Sequence, residues 1–252
     1  MKGAAEAPPV IREGFRCDSS NRWTECGLDL GAGGLIRDEG DLDRSIPDPP
    51  RSIEDTISRL LDDGMAPISL GGDHSITHPI VRAFGRRFPH LTLLHFDAHA
   101  DLYDEFQGSR NSHGCPFARI MEEKAASRLV QAGIRSLTDH HRAQIRRFGV
   151  DLIEMKDWTR ELFLAFAAPV YISVDIDVLD PAFAPGVSHH EPGGCSTRQL
   201  LQAIQALQAV VVGADIVEFN PRRDVAGITA MACAKIFKEL AAKILRSNKE
   251  GK

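Results

Sequence analysis

LTLLHFDAHAD, residues 91–101, decides how this chain is read. The run LTLL has no polar alternation, as expected of a strand buried on both faces. Asp97, His99 and Asp101 then follow at alternate positions. On extended backbone such residues project to one side. Two carboxylates and an imidazole therefore converge at the end of a buried strand.

The pattern recurs on either side. APISL (66–70) runs into GGDHS (71–75), with Asp73 and His74, and PVYISVDID (169–177) runs into Asp175, Asp177 and Asp180. Helical patterns separate the strands. Residues 52–63 place Ile53, Ile57, Leu60 and Leu61 on one face, with Ser52 as the expected cap. Residues 78–88, 115–131, 140–149 and 196–207 also read as helical, and 227–245 as a long last helix. LVQAGIRS (129–136) reads as a helix end and a strand, and AVVVGADIVEF (209–219) as a strand. Residues 1–50 show little periodicity beyond a short strand near Leu35 and Ile36. Apolar strands alternating with helices imply an α/β fold: three layers, α/β/α, with a mostly parallel central sheet. The ligand site of such a sheet lies beyond the carboxyl ends of its strands, where the Asp and His clusters fall.

Length and composition agree with one domain over residues 1–252. The net charge of -5 and the lack of a Lys/Arg run argue against nucleic acid and anionic membrane as partners. No apolar run is long enough to span a bilayer, and the N-terminus lacks the apolar core of a signal peptide. The five scattered cysteines form no CxxC pair and read as free thiols. The cytoplasm is the expected compartment.

A lone His at a strand end is ordinarily a cap or a surface residue, and a lone DxD is ordinarily a solvated turn. Several carboxylates and imidazoles at one end of one sheet are different, because they repel without a cation. A pair of divalent metals answers that repulsion. Oxygen-rich ligands with two imidazoles suit Mn²⁺, and the absence of cysteine from the clusters argues against structural zinc. Two such ions about 3.5 Å apart lower the pKa of a shared water, which predicts hydrolysis.

GGDHS, FDAHAD and SVDIDVLDPAFAPG, in this order, resemble the arginase–agmatinase (ureohydrolase) family. The match is nearer to plant-type arginases and bacterial agmatinase-like proteins through DLYDEFQGSRNSHGCPFARIMEE, QAGIRS, RRFGV, DPAFAPGVSHHEPGG and VVGADIVEFNPRRD. It runs from about Ala7 to Leu245 and implies an arginase-like fold holding two Mn²⁺ per subunit. By resemblance, His74 and Asp101 bind one ion, His99 and Asp177 the other, and Asp97 and Asp175 bridge them. His113, in SHGCPF, matches a proton-shuttling histidine at the site mouth; a surface loop histidine is the plainer alternative. Glu218, in VEFNP, matches the glutamate that pairs with a substrate guanidinium, a planar cation that gives a carboxylate two parallel hydrogen bonds. The resemblance further implies that Asp101 relays a proton and that urea leaves with an amine, putrescine or ornithine. His189 lines the pocket, while His190 and Glu191 read as loop residues.

The resemblance also implies a small guanidino substrate and a homo-oligomer, trimer or hexamer, with the last helix and Arg222–Arg223 as interface elements or merely solvated. Two departures stand out. By comparison with the family, the chain is expected to be shortened at its N-terminus and to lack the first strand. GIRSLTD, with Ser136, Thr138 and Asp139, does not separate agmatine from arginine. The alternatives are hydrolysis of another guanidino or formimidoyl compound, a single-zinc deacylase of the same architecture, and a non-catalytic shortened paralogue.

Overall fold

A computed structural model describes residues 3–43, 45–158, 162 and 164–250, with the side chains of 248–250 excepted. The central element is one parallel sheet of six strands: β1 (Ile68–Leu70), β2 (Thr92–Phe96), β3 (Arg128–Ile134), β4 (Asp151–Glu154), β5 (Val170–Asp175) and β6 (Val211–Val217). Their order is β1-β6-β5-β2-β3-β4. The sheet is α/β and parallel as expected. β1 stands at one edge and pairs with β6 through Ile68↔Ala214 and Leu70↔Ile216.

Period-two alternation divides each central strand between two cores. Leu94, Ile172 and Ala214 face α1 (Ala7–Arg16), α6 (Thr197–Ala206) and α7 (Ile228–Glu250). Leu93, Tyr171 and Val212 face α2 (Pro49–Asp62), α3 (Thr77–Arg87) and α4 (Pro116–Glu122). The helix α5 (Asp139–Phe148) adds Ile145 and Phe148 to that second core. Gly213 on β6 has a packing reason, since a Cβ there would meet Phe84 Cζ at 2.3 Å.

Several local expectations are corrected. α2 starts at Pro49, and its cap is Asp48, which accepts the Arg51 N–H at 3.2 Å; Ser52 lies inside the first turn. Two prolines at the helix start set φ and need no N–H partner there. The helical pattern over 115–131 ends at Glu122, because Lys124 turns left-handed (φ 55°) and β3 begins at Arg128. Leu35 and Ile36 form no strand, Leu35 being 41% exposed. The helix α1 and the strand β4 lie where the sequence shows no clear pattern. Proline-rich APPVIREGFR masks an amphipathic face, and DLIE is short.

Candidate metal centre

β1, β2 and β5 all release their chain at the carboxyl end of the parallel sheet, and their following residues meet. The route is not simple extension. β5 ends at Asp175, whose carboxylate accepts the Asp177 N–H at 2.8 Å and opens a 3-10 turn over Ile176–Val178. Asp97 does the same for the His99 N–H at 2.5 Å, and His99 bridges to Ser136 beyond the end of β3. Asp101 takes a left-handed backbone (φ 49°), as does Glu218 (φ 64°). Non-glycine residues rarely adopt that region, and it costs about 1–3 kcal/mol each. So the alternate spacing is right, but carboxylate-capped turns rather than strands aim the side chains.

His74 Nδ1 lies 3.1 Å from Asp101 Oδ2 and 3.3 Å from both Asp97 Oδ2 and Asp175 Oδ2. His99 Nδ1 lies 3.0 Å from Asp177 Oδ2 and 3.4 Å from Asp97 Oδ1. All six expected ligands are thus brought together, with Asp97 reaching both imidazoles through different oxygens. Burial opposes charge on His74, yet Asp101, Asp175 and Asp97 overcome it and hold its pKa well above the ordinary value. His99, against Asp177 and Asp97, rises to about 12 despite burial. Burial and the neighbouring Asp97 push Asp177 up to about 6. Asp175 is raised by burial and by Asp177 and Asp97.

Cations fit this donor set. His74 Nδ1 is buried, has no hydrogen-bond partner and faces three carboxylate oxygens. Its other nitrogen is engaged: Nε2 lies 3.0 Å from Ser173 Oγ, which donates to Asp215 Oδ1 at 2.6 Å. Asp215 also accepts from Tyr171 Oη (2.9 Å) and Thr77 Oγ1 (2.8 Å). The Ser173 hydroxyl proton goes to Asp215, so its oxygen accepts from Nε2–H, and Nδ1, which faces the carboxylates, is the nitrogen that would give up its proton to a metal.

His95, fully buried, also groups with His74 and Asp97. Its tautomer makes it a support rather than a ligand. Gln131 Nε2 donates to the Ala100 carbonyl at 2.7 Å and to His95 Nδ1 at 3.0 Å. His95 Nε2 then carries the proton and donates to Asp97 Oδ2 at 2.8 Å. Arg135 braces the far side of the site, donating to the carbonyls of Asp177 (2.6 Å), Val178 (3.2 Å) and Glu191 (2.7 Å). Sequence reasoning missed these residues. The available signal was polar side chains inside apolar strands: His95 in β2, Gln131 in β3, Ser173 in β5 and Asp215 in β6.

The remaining expected residues fall around this centre. Glu218, at the end of β6, is buried and accepts the His74 backbone N–H at 2.9 Å. Burial pushes its carboxyl up to about 8. His189 lies between His99 (6.1 Å) and His113 (5.7 Å, nearly parallel rings). His113 is thus one imidazole further out. His190 is a loop residue, with Nε2 2.7 Å from the Pro185 carbonyl and Arg223 donating to Nδ1 at 3.2 Å. Asp73 caps the turn at Ser75 (3.1 Å), and Asp180 accepts the Gly193 N–H at 2.7 Å. Arg222 pairs with Glu6 at 3.0 Å.

A model of the arginase family matches residues 1–242. The mitochondrial arginase of Medicago truncatula is 46% identical over 96% of this chain and 77% of its own length. Agmatinase of Bacillus anthracis is 34% identical over 81% of this chain and 73% of its own. The structure of arginase from Medicago truncatula matches with a TM-score of 0.91 at 45% identity, covering 97% of this chain and 82% of that one. The expected cytoplasmic compartment is corrected by this similarity, since the Medicago relative is a mitochondrial protein. Free thiols mark a reducing environment, not one compartment. Among the described residues no helix is long and apolar enough to cross a membrane.

Proposed function

The chain belongs to the arginase family, and from that premise we propose that it hydrolyses a guanidino group to urea and an amine, using two Mn²⁺ held by its carboxylate–imidazole cluster. The single observation that supports this most is Asp97, whose two carboxylate oxygens face two different imidazoles. That is the geometry of a ligand shared by two cations. His74 and Asp101 would hold one ion, His99 and Asp177 the other, and Asp97 and Asp175 would be shared between them. When bound, the pair acidifies water into a nucleophile and neutralises the carboxylates.

The chain's own residues do the rest. Glu218 receives the guanidinium, whose paired N–H groups match a carboxylate. A buried carboxyl with a raised pKa gains most from that cation, because the pair removes the cost of charge in a poorly solvated place. Asp101 takes the proton released on attack, and His113 returns one to the leaving amine. His189, between His113 and the metal cluster, lines the approach.

Arginine is the first substrate in this reading, because the 46%-identical relative is an arginase and the agmatinase is less similar. The test is urea release by Mn²⁺-loaded protein from arginine and agmatine, measured side by side. Faster release from arginine supports the assignment. Faster release from agmatine reverses the substrate but keeps the reaction, and no urea from either removes the proposal.

A further inference from the structure

The six proposed ligands sit on short turns at strand ends, but His113 does not. It stands near the end of the connection between β2 and α4, residues 97–115, in the long loop that follows Asp101. Catalysis by a loop histidine requires something to fix the loop. The base is closed by the Tyr103 N–H donating to the Gly114 carbonyl at 3.0 Å, next to His113. The tip is a tight hairpin: Phe106 and Ser109 exchange backbone hydrogen bonds of 3.0 and 3.1 Å around left-handed Gln107 and Gly108. The Phe106 ring stacks on Tyr103 (5.2 Å) and meets His113 edge to face at 5.4 Å.

Between base and tip, one buried side chain hydrogen-bonds to both arms. Arg119, on α4, is 5% exposed. Its Nη1 donates to the Asp104 carbonyl on the outgoing arm at 2.7 Å and to the Arg110 carbonyl on the returning arm at 3.3 Å. Nη2 is 2.9 Å from Glu122 Oε2, which supplies a counter-charge from the same helix. A planar guanidinium can direct several N–H groups in fixed directions, which an ammonium cannot.

We propose that Arg119 is a positioning residue for His113. By tying both arms of the loop, it sets where the Phe106 ring stands and hence where the imidazole stands. It touches neither substrate nor metal. The proposal rests on the reading of His113 as the proton donor to the leaving amine.

The test is a double-mutant cycle in the full, Mn²⁺-loaded chain, reading kcat for urea release from arginine together with bound Mn²⁺. Arg119→Met lowers kcat about 10- to 100-fold, the scale of an ångström-sized misplacement, with bound Mn²⁺ unchanged. In a His113→Ala background the same substitution costs less than about twofold, because two residues acting through one group are not additive. Arg119→Lys, which keeps the charge and loses the fork, shows the same non-additivity at smaller size and serves if Arg119→Met does not fold. Equal losses in both backgrounds, no loss in either, or loss of bound Mn²⁺ overturns the proposal and leaves the reading of His113 intact. A His113→Ala chain as fast as the parent instead removes that reading, and the proposal with it.

Discussion

Glu218 Oε1 accepts the backbone N–H of His74 at 2.9 Å, joining the residue proposed to read the substrate to a residue proposed to hold a cation. Together with the Glu218 N–H donating to the Gly72 carbonyl at 2.9 Å, it ties the ends of β1 and β6 and so the spacing of the two subsites. Glu218→Gln keeps an acceptor for the His74 N–H while removing the charge. Urea release should fall about 100-fold, the scale of a lost charge-assisted contact in a dry site. Stability should hold or rise by about 1 kcal/mol, because a buried carboxyl is replaced by a neutral amide. Kinetics and denaturant melts on one preparation check both halves. A large loss of stability would contradict the assignment.

Asp175 gives a second, opposed pair of outcomes. Burial and the neighbouring Asp177 and Asp97 disfavour its charge. Asp175→Asn should therefore raise the melting temperature of metal-free protein by a few degrees, as relieved repulsion of about 1 kcal/mol would. It should also abolish the stabilisation that Mn²⁺ gives the parent, about 2.7 kcal/mol at a hundredfold excess over Kd. Thermal shift with and without Mn²⁺ reads both. An Mn²⁺ response equal to the parent's would sink the bridging role.

The relay from Asp215 through Ser173 to His74 Nε2 predicts a purely metal-centred phenotype. Ser173→Ala or Asp215→Asn should weaken Mn²⁺ affinity about 10- to 100-fold, the usual effect of removing the partner that orients a metal-binding imidazole. Competition against a chelator measures this without turnover. An unchanged affinity would mean that Asp215 serves only to satisfy the Tyr171 and Thr77 hydroxyls.

His141 supplies a pH dependence away from the ligands. Burial lowers its pKa from 6.5 to about 4, and its ring accepts the Thr138 N–H at 3.3 Å in the α5 capping box. The folded state thus holds it neutral while the unfolded chain protonates below 6.5. Its contribution is complete above pH 6.5 and declines as pH falls toward 4. His141→Gln keeps a capping-box acceptor. It should lose about 2 kcal/mol less stability than the parent between pH 7.5 and 4. Parallel loss in both proteins would show that His141 is not the group involved.

Much of this was legible in the sequence, for physical reasons tied to particular residues. LTLL and VYISV announce buried parallel strands because apolar residues dominate them without a solvent-facing polar alternation, and the Asp and His residues after them point to cations because so many carboxylates at one sheet end repel one another. The supports were hidden. That Ser173 faces Asp215, or that Gln131 reaches past His95 to Ala100, depends on β2, β3, β5 and β6 lying side by side, which no local pattern states. The turn at Asp175–Asp177 was hidden too, since alternate spacing suits an extended strand and an Asp-capped turn equally. Arg135, inside an apparent strand end, gave no sign that backbone carbonyls rather than a carboxylate would be its partners.

The most direct measurement is the number of Mn²⁺ ions bound per chain after equilibrium dialysis, in the parent and in Asp97→Asn. Asp97 reaches both imidazoles, so two ions are expected in the parent and loss of both sites' tight binding in the variant. One ion or none in the parent, or an Asp97→Asn chain that still holds two, would contradict the shared-ligand centre on which the proposed hydrolysis depends.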